Sequence, residues 1–141
     1  MMKQLCYASC STSSPVTLLE DLRNILSEAR DFNHRHAITG VLYYADGHFF
    51  QCLEGNELIL ELLVEKLSKD SRHREIMIYG FKSIDQAHFA DWSMKYVSRN
   101  SHALQYLNEQ GQEKFRPFAL NADQVEAFLV HLYDAQPDEA A

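Results

Sequence analysis

Apolar and polar residues alternate along Gln4–Ser9, which predicts a first strand with Leu5, Tyr7 and Ser9 on one face. After a polar break at 10–15, Leu18, Leu22, Ile25, Leu26, Ala29 and Phe32 recur every three or four positions. That stripe predicts a helix running to about His34, opened by a capping box of Thr17 and Glu20. Residues 38–55, ITGVLYYADGHFFQCLEG, read as two strands joined at Asp46-Gly47, a pair suited to a tight hairpin with positive φ. Asn56 caps a second helix with Ile59, Leu62, Leu63 and Leu67 as its apolar face. A polar loop at 68–75 leads to a fourth strand over 75–81, and DWSMKYV (91–97) reads as a fifth.

The order is β-α-β-β-α-β-β. Both helices are apolar on one side only, so the natural arrangement is an α+β, ferredoxin-like sheet with two helices on one face. Further on, residues 101–110 form a short helix stopped by Gly111, and Asn121 with Gln124 opens another carrying Val125, Phe128, Leu129 and Leu132. Their stripes would cover the other face of the sheet, where period two places Phe50, Cys52 and Val97. The division expected is a core domain over 1–97 and a helical extension over 98–141 ending in a frayed tail at 136–141.

Composition narrows the function. The chain of 141 residues has the length of one domain, and a net charge of −7 argues against a general nucleic-acid binder. No apolar run is long enough for a membrane span, and the N-terminus lacks the pattern of a signal peptide. Three cysteines, an odd number, suit a reducing compartment, so a cytoplasmic protein is expected. Cys6 and Cys10 do not form a zinc pattern, and the chain has no Walker loop, nucleophile elbow or HExxH sequence. No metal site is expected.

Gln51 is the anomaly in the apolar run HFFQCLEG. An amide buried without partners costs about 1–3 kcal/mol, so something must face it. Period two turns Tyr7, Gln51, Trp92 and Met94 toward the first helix layer, and Asn33 follows Ala29 and Leu26 on the helix stripe. These amides either bond backbone at element ends or hold a flat, apolar ligand with hydrogen-bonding edges. Two further readings are open. One is an acylphosphatase-like hydrolase, since the element order also fits that fold; the other is a ligand-binding or interaction domain without colour.

An ordered set of short motifs discriminates among them. Leu5-Cys6-Tyr7-Ala8-Ser9, Ala29-Arg30-Asp31-Phe32-Asn33, Ile38-Thr39-Gly40, the run Phe49 to Gly55, Asp70-Ser71-Arg72-His73 and Trp92-Ser93-Met94 together resemble the BLUF domain, the flavin-dependent blue-light sensor. The resemblance covers about residues 3–97. Ala37 departs from it where a Gly often stands, and Phe32 where many members carry His or Asn.

The resemblance implies a photoreceptor rather than an enzyme. It implies a flavin, FAD or the FMN that shares its ring, between the two helices. Tyr7 and Gln51 would then form the photoactive pair, with Ile25, Asn33, Asp70, Arg72 and His73 as further binding residues. Ser9 would either tune Tyr7 or be satisfied by backbone, and Asp70 would either orient Arg72 or be a solvated loop charge. Trp92 and Met94 would either be plain core residues or carry the output, through the fifth strand and the C-terminal helices, to a protein partner such as a transcription regulator. Direct nucleic-acid or membrane contact is not implied, and self-association is left open. Removal of residues 100–141 is expected to abolish the partner response and spare the photochemistry.

Overall fold

A computed structural model describes residues 2–98 and 102–135. Its elements are β1 (Met2–Ser11), α1 (Leu18–Arg35), β2 (Thr39–Ala45), β3 (His48–Asn56), α2 (Glu57–Ser68), β4 (His73–Ile84), β5 (Lys95–Ser98), α3 (His102–Glu109) and α4 (Ala122–Tyr133). A 3-10 turn, Pro117–Ala119, lies between the last two helices. The five strands run in the order β4-β1-β3-β2-β5, antiparallel throughout except for the parallel pair β2 and β5. This is the ferredoxin-like order expected from the pattern, with β5 added beside β2. The frayed tail expected at 136–141 lies outside the described residues.

The two faces of the sheet bury separate cores. On one, Leu5, Tyr7, Phe49 and Leu53 pack with Leu22, Ile25 and Leu26 of α1 and Leu60 of α2. On the other, Cys6, Phe50, Cys52 and Val97 pack with Leu107, Val125, Phe128 and Leu132 of the C-terminal helices. Phe128 is the hub of that second core. Its ring meets Tyr43 and Phe50 edge to face, each at 5.1 Å between centroids.

Local chemistry accounts for most boundaries. Asp46 and Gly47 take φ values of 52° and 82°, as a tight hairpin with two left-handed residues requires. Asn56 accepts from the amides of Leu58 and Ile59, and Asn121 with Gln124 forms the expected capping box. The capping box expected at Thr17 does not form: its side chain caps nothing, and Ser13 Oγ donates instead to Asp21 at 2.6 Å. In α2 the fully buried leucine is Leu60, whereas Leu62 is 53% exposed, so the expected stripe is rotated toward the sheet. The fifth strand begins at Lys95 rather than at 91, and Trp92 and Met94 precede it in an irregular segment.

Ala37 ends α1 at φ 55°, while the amide of Ile38 donates back to Asn33 O at 2.8 Å. This is a Schellman closure with alanine where glycine is favoured. Left-handed backbone costs a non-glycine residue about 1–2 kcal/mol, partly offset by the greater freedom of glycine when unfolded. Ala37→Gly is therefore expected to stabilise the protein by about 0.5–1 kcal/mol in urea unfolding.

Candidate functional site

A cleft with about 620 Å³ of empty space, open to solvent, lies between α1 and α2 above β3. Ile25, Ala29 and Phe32 of α1 and Leu63 and Leu67 of α2 supply apolar walls. Gln51, Leu53 and Met94 close the floor, and Asn33, Asp70, Arg72 and His73 add polar groups. An apolar slot with a few convergent polar groups is the usual form of a small-molecule site.

Tyr7 and Gln51 are register partners across β1 and β3, so both point to the helix side at one level. The Tyr7 phenol donates to Gln51 Oε1. Burial, reinforced by the charge of Asp70, pushes the phenol far above its usual pKa and holds it protonated. The other end of the amide is less well served. Gln51 Nε2 donates to the Met94 sulfur at 3.6 Å, and a thioether is a weak acceptor. Gln51 thus faces a phenol on its oxygen and a sulfur on its nitrogen. A buried amide N–H with so poor a partner at the floor of a cleft suits a ligand that brings a better acceptor.

Helix α1 holds the floor in place. Asn33 Nδ2 donates to the Ser93 carbonyl at 2.7 Å, and Arg30 Nε donates to the Met94 carbonyl at 3.1 Å. Met94 is buried there (1% exposed), and Trp92 is not: it is 38% exposed and does not line the cleft. The expected single layer of Tyr7, Gln51, Trp92 and Met94 therefore contains three of the four. The chain bends before β5, so strict alternation from 91 does not hold.

The polar wall is an ordered network. Arg72 donates from Nε to Asp70 at 2.9 Å and from Nη2 to Asp70 at 2.8 Å and to Glu28 at 2.6 Å. Burial alone would raise the Asp70 carboxyl, but the bonds from Arg72 outweigh it and the net shift is downward. Asp70 thus orients Arg72. Glu28, Arg30 and Lys66, which sits over the Phe32 ring at 4.5 Å, were not singled out from the pattern. Glu28 carried a signal, lying one turn after Ile25 beside the stripe, and Arg30 stands within the motif at 29–33.

Ser9 Oγ and His73 Nδ1 are 2.7 Å apart, so the Ser9 hydroxyl is satisfied by a side chain rather than by backbone. Ser9 is wholly buried. Burial lowers the His73 pKa, with Asp70 opposing and Arg72 assisting, so the folded protein holds the ring neutral. Between that lowered pKa and the ordinary value of about 6.5, the unfolded chain binds a proton that the folded chain does not. Stability from this group is full above about pH 6.5 and falls as the solution is acidified. His73→Gln is expected to flatten that acid limb in urea midpoints measured from neutral pH downward.

No three His, Cys, Asp or Glu side chains gather as a metal site among the described residues. Residues 2–95 match the model of the family BLUF, described as sensors of blue light using FAD. The chain belongs to the BLUF family. The matched stretch contains β1 through the start of β5 and every residue lining the cleft, while α3 and α4 lie beyond it. The solved structure of BlsA in its ground state is 46% identical with a TM-score of 0.94, covering 99% of this chain and 93% of that one. The photoactivated adenylate cyclase subunit alpha of Euglena gracilis is 29% identical over 94 residues, which are 67% of this chain and 9% of the cyclase. The blue light- and temperature-regulated antirepressor BluF of Escherichia coli (strain K12) is 26% identical over 121 residues, 82% of this chain and 29% of BluF. The chain thus spans a small part of these two relatives, and their activities do not pass to it with the match. As a BLUF domain the protein is a flavin-using blue-light sensor. No helix among the described residues is long and apolar enough to cross a membrane.

Proposed function

We propose that this BLUF domain holds FAD in the cleft between α1 and α2 and converts blue light into an altered hydrogen-bond state of Gln51. The observation that carries the reading is the bond from the Tyr7 phenol to Gln51, whose nitrogen is left on the Met94 sulfur. The FAD named in the family's description supports the choice of flavin. Once bound, the ring supplies light absorption and, when excited, oxidising power toward a phenol. Tyr7, kept protonated by burial, would be the electron and proton donor. Gln51 would relay the proton between its oxygen, bonded to the Tyr7 phenol, and the cleft, and Tyr7 would regain it as the system relaxes. The lasting change is in the amide, rotated or converted to its imidic acid, which exchanges donor for acceptor and gives up Met94. Asn33 would bond the polar edge of the ring, Ile25 would pack on it, and Arg72 and His73 would face it or its side chain.

The signal leaves along β5. Met94 is followed directly by Lys95, whose Nζ donates to the carbonyls of Leu132 (3.1 Å) and Tyr133 (3.2 Å) at the end of α4. A cation there completes the helix and suits its dipole. A change at Met94 is in this way tied to α4 on the opposite face. Coupling of about 1–3 kcal/mol would alter a partner's affinity roughly 5–150-fold. The antirepressor named among the relatives supports a transcription regulator as that partner. Lys95→Met is expected to retain the light-induced spectral shift and to lose the light–dark difference in hydrogen exchange over α4. An undiminished difference there would exclude this route.

The reading itself is tested by colour. The purified protein is expected to carry flavin bands that move reversibly to the red under blue light, and a colourless protein that refuses added FAD would reject it.

A further inference from the structure

Cys6 and Cys52 stand directly opposite each other on β1 and β3, one position from Tyr7 and Gln51 on the same two strands. Their side chains enter the core under α3 and α4, away from the cleft, and both thiols are free. Directly opposed residues of an antiparallel pair place their Cβ atoms about 4.5–5.5 Å apart, and a cystine requires about 3.5–4.5 Å. A strand adjustment of about an ångström closes the gap. Cys10, the third cysteine, lies opposite His48 and donates instead to Glu75 at 3.3 Å.

One of the two sulfurs is reachable. A second groove, with about 430 Å³ of empty space, lies between β1, β4 and α4 and is lined by Cys6, Tyr79, Gly80 and Lys82. Gly80 is the β4 neighbour of Cys6, and a side chain added there would meet nothing within 4 Å. The missing side chain leaves a way in to Cys6, which is 7% exposed, whereas Cys52 is sealed at 0%.

We propose that Cys6 and Cys52 form a cystine site served by hydrogen peroxide, with Cys6 as the sulfur attacked and Cys52 as the resolving thiol. The Cys6 sulfur takes one peroxide oxygen, the O–O bond breaks, and the departing hydroxide leaves as water with the thiol proton. The Cys52 sulfur then attacks the Cys6 sulfenic acid, the S–O bond breaks, and the hydroxyl leaves as a second water with the Cys52 proton. One peroxide is reduced to two waters and the two thiols become one disulfide. Burial, with Cys6 beside it, holds the Cys52 thiol protonated well above its ordinary range, so closure is slow at neutral pH and quickens in alkali. The chemistry involves neither Tyr7 nor flavin, so it stands apart from the light-sensing reading.

The test is peptide mapping of the full-length protein after peroxide treatment. The expected result is a cross-link joining the Cys6 and Cys52 peptides within one chain, reversed by dithiothreitol and accompanied by a higher urea midpoint. Cys10→Ser should leave the cross-link intact. Gly80→Val, which closes the way in and leaves both thiols in place, should slow its formation several-fold. Sulfinic acid at Cys6 with Cys52 still free, a bond to Cys10, or cross-linking between chains would each overturn the proposal, as would an unchanged rate in Gly80→Val.

Discussion

Gln51→Leu is expected to keep flavin in the cleft and to lose the blue-light red shift entirely. Leucine matches the side chain in bulk, and the walls made by Ile25, Ala29, Leu63 and Leu67 do not depend on the amide. What disappears is the one group that touches both the Tyr7 phenol and the Met94 sulfur. The Tyr7 hydroxyl, buried to 1% exposure, is then left without an acceptor, which costs about 1–3 kcal/mol of stability. Tyr7→Phe in the same chain removes the stranded group as well. The double variant should regain most of the stability while remaining blind to light, because two matched apolar replacements can be nearly neutral. Absorption spectra before and after blue illumination read the first effect, and urea unfolding reads the second. A shift of native size in Gln51→Leu would remove the amide from the switch.

A chain ended after residue 98 is expected not to fold. The family resemblance led to the expectation that removal of residues 100–141 would abolish the partner response and spare the photochemistry, but the packing argues for a larger effect. Phe50, Tyr43, Cys52 and Val97 are fully buried beneath α3 and α4; Phe115 and Phe128 both meet the Tyr43 ring, and Phe128 also meets that of Phe50. Truncation would expose one of the two cores to water. The graded form of the test is Phe128→Ala, for which a loss of about 3–5 kcal/mol is expected from transfer and cavity costs. That is a large part of the roughly 5–15 kcal/mol that stabilises a domain. Far-UV circular dichroism of the shortened chain and urea unfolding of Phe128→Ala measure the two. A shortened chain with native dichroism and bound flavin would show that the sheet needs no second cover.

How far the fold could be read from the sequence depended on how local its cause was. The Asp46-Gly47 hairpin and the caps at Asn56 and Asn121 were legible because each is built within a few residues. Thr17 misled because Ser13 competes for the same turn through Asp21, a choice made by geometry rather than composition. The face of α2 misled for another reason: every turn of that helix offers a leucine, and only docking on the sheet selects Leu60 over Leu62. Tyr7, Gln51, Asn33, Asp70, Arg72 and His73 could be named beforehand because they sit in ordered motifs. The pairs Ser9 with His73, Glu28 with Arg72 and Lys95 with the end of α4 join residues far apart in the chain, and no periodicity announces them. Trp92 shows the limit of alternation, since a bend of a few residues turned an expected inward ring toward solvent.

The two-sided burial of this sheet carries a practical consequence for engineering. Anyone wishing to graft the light-sensing half onto a different effector must transplant a replacement roof along with it. A fused module would need to offer an amphipathic helix with a bulky aromatic where Phe128 now stands and carbonyls within reach of Lys95. A chimera lacking that roof would be limited by solubility long before its optical response could be judged.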